Sequence, residues 1–270
     1  MSRDIVLQFV NVPFETGMAV FIICSLRMFG IFYSFYPFSW GFFSDRIMRL
    51  SVVVALTAPL MLLEYTTVAE GVATMSSLTI ALLAAKEFAI GYGLGLLASS
   101  PFRALQYAGA VSDTFRGEND SGLTSPDGSG IQTTSLFYLI IGFAVFFGNG
   151  GLIYIVDMIY ATYAIWPLME TLPFLVDGTA DIALRALGKA LRLAVKIIAP
   201  VILLLFIVEL VLAIAEKLAR RFGIFQLSFV VKNLVTKLTL PLTAMLILRV
   251  ADAELIAAFD AVDVMRSYFP

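Results

Sequence analysis

The sequence predicts an all-α membrane protein of several apolar spans, and three observations carry that expectation. Apolar residues make up 60% of its 270 residues, and mean hydropathy is +0.93. Long stretches with few charges recur from one end of the chain to the other. Marked breaks in that pattern fall at two places, residues 113–130 and the neighbourhood of Asp177-Gly178. At about 20 residues per crossing, the chain has room for six or seven spans and no sizeable aqueous domain. The net charge of −2 points to no class of partner. Cys24, the single cysteine, lies in an apolar run and reads as a small packing residue, which excludes a disulfide framework and a Cys-based metal site.

The elements follow in order. Arg3, Asp4 and Glu15 precede an apolar run with no clear small-residue cleavage site, so the first helix is expected to stay in the mature chain. That helix spans Met18 to Phe35 and carries Arg27. The second, Leu50 to Leu63, contains Pro59. The third, Leu78 to Leu97, holds Lys86 and Glu87 side by side, followed by Gly91, Gly93 and Gly95. Ser135 to Val156 is the fourth, and Met158 to Val176, closed by Pro173, is the fifth. Ile197 to Ala215 contains Glu209, and Leu227 to Val250 contains Lys232 and Lys237.

These charges decide how the helices pack. A charge at mid-membrane depth costs about 2.5–3.5 kcal/mol, so five of them facing lipid would cost on the order of 15 kcal/mol. Arg27, Lys86, Glu87, Glu209, Lys232 and Lys237 are therefore expected between helices or between chains. Adjacent helical residues point about 100 degrees apart, so Lys86 and Glu87 are expected to find separate partners. Gly91 and Gly95 form a GxxxG pair suited to close backbone approach. The same glycines do not make a dinucleotide loop, because no strand precedes them and the third comes too early.

Basic residues flank both ends of the Ile197 segment: Arg185, Lys189, Arg192 and Lys196 before it, and Lys217, Arg220 and Arg221 after it. A single ordinary crossing fits the positive-inside rule poorly there. The segment is either half of a re-entrant hairpin or part of an arrangement other than independent spans. Arg185, Lys189, Arg192 and Lys196 share one side of an amphipathic helix over residues 181–196, with Leu184, Leu187, Leu191 and Val195 on the other. Acidic lipid headgroups and a docking protein both suit that basic face.

The stretch from Asp113 to Gly130 is polar and longer than most structureless connections, which suits a functional loop or a solvated connector. It contains Asp113, Arg116, Gly117, Glu118, Asp120, Gly122, Asp127 and Gly128. The composition shift at Asp177-Gly178 divides the chain into residues 1–177 and 178–270. Catalytic signatures are missing. The chain has no histidine, which excludes HExxH metalloproteases and His-based triads. There is no GxSxG elbow, and the acidic stretch lacks the ligand spacing of an EF-hand. Asn119-Asp120-Ser121 matches a sequon too short to carry weight. No catalytic, cofactor or metal residue is assigned, and no nucleic-acid partner is expected.

The run KEFAIGYGLGLLASSPFRALQYAGAVSDTFRG (residues 86–117), the polar stretch, and SLFYLIIGFAVFFGNGGLIYIVDMIYATYAIWP (residues 135–167) together resemble the T subunit of the bacterial type III secretion export apparatus, the SctT/FliR/SpaR family. The likeness lies in order and spacing: Glu87 with Gly91 and Gly95, Gly109 before Asp113, Phe147 before Gly150-Gly151, and Tyr163 before Trp166-Pro167. Arg116-Gly117 and Trp166-Pro167 look more like the injectisome branch than the flagellar one. One departure stands out. The family's late Asn-Val-Phe and Pro-x-Lys motif is matched by LSFVVKNLVTKL, with Ser228 and Val235 in place of Asn and Pro, while Lys237 agrees.

This resemblance implies a non-enzymatic core subunit of an export gate in the bacterial inner membrane, part of a channel for unfolded proteins. It implies an R-like four-helix part (1–177) fused to a Q-like hairpin (178–270), raised toward the periplasm in the assembly. The implied partners are the R and S gate subunits, the U switch subunit, the V export gate subunit, inner rod or needle proteins, and substrates in transit. It further implies that the 113–130 loop points into the channel and plugs it, and that Lys86 and Glu87 meet other chains or the lumen. The rival reading from the residues alone is a polytopic secondary transporter, with the intramembrane charges lining a path. No internal repeat supports that rival.

Overall fold

The computed structural model describes residues 14–38, 46–117, 131–170, 179–218 and 224–259. These form seven α-helices and no strand: α1 (Phe14–Ser34), α2 (Arg46–Thr74), α3 (Ser77–Phe115), α4 (Thr133–Gly148), α5 (Gly151–Ile165), α6 (Thr179–Leu218) and α7 (Ile224–Phe259). A short 3-10 turn, Tyr36–Phe38, follows α1. Five of the helices are long and apolar enough to cross a membrane, and six spans result if α4 and α5, bent by 71° at their junction, count as one.

Several boundaries differ from the sequence expectation, each for a local reason. The break between the fourth and fifth helices falls at Asn149-Gly150, well before Val156. Gly150 takes the left-handed conformation there, with φ +73°. The Asn149 and Gly150 amides donate to the carbonyls of Val145 and Phe147, closing α4. Helix α5 stops at Ile165 because Pro167 cannot continue it and restricts the residue before it. Pro173, the expected terminator, lies outside the described residues. Helix α2 runs on to Thr74, past the expected end at Leu63, with Glu70 exposed along it.

Helix α3 has 39 residues and α6 has 40. At 1.5 Å per residue each is roughly 60 Å long, about twice the hydrocarbon thickness of a bilayer. The basic residues from Arg185 to Lys196 and the apolar run from Ile197 therefore belong to one continuous helix. Of the second flank, Lys217 belongs to the same helix, while Arg220 and Arg221 lie outside the described residues; α7 packs back along α6.

The chain divides into two compact units. The first holds Met1–Leu97 with Asp157–Val176, and the second holds Ala98–Val156 with Asp177–Met265. In the first unit, α1 and α2 pack together over a core of Val20, Ile23, Cys24, Leu60, Tyr65, Val68, Leu83 and Leu168. In the second, Phe102 of α3 stacks on Phe143 at 5.1 Å and meets Phe146 edge-on at 5.4 Å. Gly109 lies against the backbone of Ser135, so α3 and α4 approach closely and run antiparallel.

Candidate functional site

Helices α1 and α3 of the first unit run side by side in the same direction, at a spacing only glycine allows. A Cβ on Gly91 would collide with the Arg27 carbonyl, and one on Gly95 with Ser34 and the Ile31 carbonyl. The complementary position on α1 is Gly30, where a Cβ would sit 2.6 Å from the Phe88 carbonyl oxygen. Sequence reasoning missed Gly30. By contrast Gly93 faces open space. The Ser34 hydroxyl crosses the seam to donate to the Tyr92 carbonyl at 2.9 Å.

This close contact brings Arg27 to Glu87, and both side chains are fully buried. Arg27 Nε donates to Glu87 Oε2 at 2.7 Å and Nη2 to Oε1 at 3.1 Å, a two-pronged pair. Nη2 also donates to the Trp166 carbonyl at 2.8 Å, and Nη1 to the Thr162 hydroxyl oxygen at 3.2 Å. The guanidinium carbon lies 4.1 Å from the centre of the Tyr163 ring, within cation–π range. The Thr162 hydroxyl in turn donates to the Ile159 carbonyl at 2.6 Å.

Lys86 corrects the expectation of separate partners. Its Nζ lies 2.8 Å from Glu87 Oε1, because a four-carbon stem can curl back past the angle between neighbouring Cα–Cβ bonds. The same ammonium donates to the carbonyls of Glu170 at 2.6 Å, Leu168 at 3.2 Å and Pro167 at 3.4 Å. Two cations thus share one carboxylate. Their excess positive charge faces carbonyls of the turn that follows α5, beside the negative end of that helix. Arg27, Lys86 and Glu87 are partnered within this chain.

The second unit holds a second polar group. Asp113, expected in the loop, lies inside α3 and is fully buried. Its Oδ2 accepts the Thr134 amide at 2.9 Å, capping the N-terminus of α4, where Gln132 makes no side-chain cap. Arg116 pairs with Asp113 at 2.7 Å and donates to Asn233 Oδ1 at 2.9 Å. Gly117 ends α3 with φ +84°. Glu118, Asp120, Gly122, Asp127 and Gly128 lie outside the described residues.

Glu209 and Lys232 pair at 2.9 Å, joining α6 to α7, with Glu209 more than half exposed and Lys232 largely covered. Lys237 is exposed. On α6, Arg192 and Lys196 are exposed, but so are Leu191 and Val195, while Leu193 and Ile197 are buried. The packed stripe is therefore rotated from the Leu191–Val195 face read from sequence. The side chains of Arg185 and Lys189 lie outside the described ones. Among the described residues, no cluster of His, Cys, Asp and Glu could hold a metal ion.

Residues 18–257 match the profile of bacterial export proteins, family 1. The Yop proteins translocation protein T of Yersinia pestis is 25% identical over 193 residues, covering 71% of this chain and 74% of that protein. The surface presentation of antigens protein SpaR of Salmonella typhimurium is 30% identical over 154 residues, 56% of each chain. The secretion system apparatus protein SsaT of the same organism is 30% identical over 159 residues, 57% of this chain and 60% of its own length.

Proposed function

We propose a function from one premise: this chain belongs to the bacterial export proteins, family 1, as a type III secretion T subunit of the injectisome type. It is a membrane-embedded subunit of a secretion apparatus, built to assemble with other subunits of that apparatus. Within it, the chain forms part of the inner-membrane channel through which unfolded proteins leave, and it catalyses no reaction. Residues 1–177 act as the R-like part and 178–270 as the Q-like hairpin, packed with R and S subunits and raised toward the periplasm. The U and V subunits, inner rod or needle proteins and the exported chains are its further contacts.

The family match across residues 18–257 carries this reading. Physical support comes from α3 and α6, which outreach a bilayer about twofold. More comes from apolar side chains left exposed along α6 and α7, among them Leu203, Val211, Leu238 and Met245, a surface that neighbouring chains or lipid would cover. The transporter reading loses its main support, since Glu87 is fully engaged by Arg27 and Lys86 and lines no open path.

Residues 113–130 serve as the element that limits leakage through the idle channel. Glycines permit many backbone conformations, which suits a segment that must yield to a passing substrate. Deleting residues 118–129 and recording small-ion conductance through the assembled complex tests this, and unchanged leakage would sink it. Co-expression with R and S subunits, followed by native mass measurement, tests the assembly. A chain that stays alone under conditions where R and S associate would count against the proposed channel role.

A further inference from the structure

Of the six charges that the sequence places in apolar runs, five are matched inside this chain: Arg27 and Lys86 on Glu87, and Lys232 on Glu209. Lys237 is the exception. Its side chain is exposed, and among the described residues it has neither a hydrogen bond nor an ion pair. Five residues separate it from Lys232, about 140° around a helix, so Lys232 turns to α6 while Lys237 stands on the exposed side of α7.

Its neighbours narrow what can meet it. Val230, Leu234, Leu238, Leu242 and Met245 are all exposed and recur every three or four residues, an aliphatic stripe on the side of α7 opposite the buried Thr236, Thr243 and Ile247. Lys237 borders that stripe, three residues after Leu234 and four before Pro241. Pro241 has no N–H to give the Lys237 carbonyl, so a backbone acceptor lacks its usual helical donor at the same level as the ammonium. The lysine sits nine residues inside the nearer end of the apolar span Ser228–Arg249, not at an end where it would reach headgroups, and facing lipid there is costly. The leucines beside it suit a water-lined path no better. A helix is the form of partner that keeps its own backbone satisfied in such surroundings, and a carboxylate is what this chain sets against its other cations in apolar runs.

We infer that the exposed side of α7 docks a helix of a neighbouring membrane subunit that carries one Asp or Glu beside Lys237 on an otherwise apolar face. The stripe supplies the contact area, and the ion pair at its edge sets register and choice of partner. The inference rests on the reading that this chain assembles with other subunits of the secretion apparatus, and it adds the surface and the chemistry of the partner.

The test uses the full-length chain in cells that assemble the whole apparatus, with a photo-crosslinking residue in place of Leu238 and the adduct identified by mass. The expected adduct is a peptide of another protein that holds Asp or Glu within about one helical turn of the crosslink. An adduct to lipid, to a second copy of this chain or to a peptide without Asp and Glu overturns the proposal, as does the absence of any adduct. Lys237→Met should lower recovery of the expected adduct by about tenfold or more, because it leaves the partner's carboxylate buried and unpaired, whereas Lys237→Arg should keep it within about threefold. Equal crosslinking by K237M and the parent overturns the ion pair. K237M should also leave the unfolding midpoint of the purified chain within about 2 °C of the parent, and a larger fall would make the lysine a structural residue of this chain instead. If the parent does not associate with co-expressed R and S subunits, the assembly reading falls, and the Leu238 crosslink alone decides the docking surface. If the parent associates and K237M does so equally, this proposal falls and the assembly reading stands.

Discussion

Glu87→Gln preserves the shape of the side chain and removes its charge, which makes it the sharpest probe of the α1–α3 seam. Glu87 and Arg27 are fully buried and Lys86 is nearly so, so the substitution leaves two cations facing each other with no anion between them. Removing one partner of a buried pair costs about 3–5 kcal/mol. Neutralising Glu70, exposed on α2, should change stability by roughly 0.5 kcal/mol or less. At about 2–4 °C per kcal/mol for a chain of this size, the unfolding midpoint of E87Q should fall by roughly 6–20 °C and that of E70Q by about 2 °C at most. The measurement is thermal unfolding of the detergent-purified protein, followed by intrinsic fluorescence. Arg27→Met should cost a similar amount, and the R27M/E87Q pair should cost much less than the two singles added together, since they break one interaction. An E87Q midpoint within 2 °C of E70Q, or strict additivity of the pair, would refute the claim that this cluster holds α1 to α3.

Three further outcomes follow from the same geometry. Gly91→Ala and Gly95→Ala force a methyl into the α1 backbone and should each destabilise by about 1–3 kcal/mol. Gly93→Ala meets nothing and should be neutral or gain up to about 1 kcal/mol; the opposite order in thermal unfolding would refute the seam. Tyr160→Phe removes the 2.6 Å bond to the Leu56 carbonyl and should lower stability by about 0.5–1.5 kcal/mol, with no loss of assembly by native mass. Gly117→Ala imposes a left-handed φ on a residue with a Cβ beside Phe229. It should cost about 1–2 kcal/mol in thermal unfolding, and an unchanged midpoint would show that the turn relaxes freely.

The helical class and the need to bury charge were legible in the sequence because both rest on composition along a single helix. Arg27, Lys86 and Glu87 announced themselves as misfits in apolar runs. Their further partners did not, because the residues that meet them come from α5 and the turn after it, 135 positions after Arg27 in the case of Thr162, and include backbone carbonyls that carry no sequence signal. Trp166-Pro167 held the one clue, a helix end whose carbonyls need donors. The Asn149-Gly150 turn carries a cap signal, but the hydropathy around it is continuous and masks the break. Asp113 looked like a loop residue because polar residues follow it, yet its carboxylate is turned back to cap another helix. The Leu191–Val195 face was drawn from spacing alone, and spacing does not say which side of a half-apolar helix meets α7.

The charge cluster also sets an order of events during synthesis. Arg27 leaves the ribosome 60 residues before Glu87, a delay of roughly 3–12 s at 5–20 residues per second, and Thr162 follows later still. Through that interval α1 carries a bare guanidinium, a charge worth about 2.5–3.5 kcal/mol against insertion at mid-membrane depth. Helix α1, made before α3 and α5, is therefore secured only once both have followed it. It must wait at the insertion machinery, or at the bilayer surface, until α3 arrives alongside it with the carboxylate. Any truncation that ends before Glu87 should leave α1 poorly inserted, although its own apolar residues are all in place.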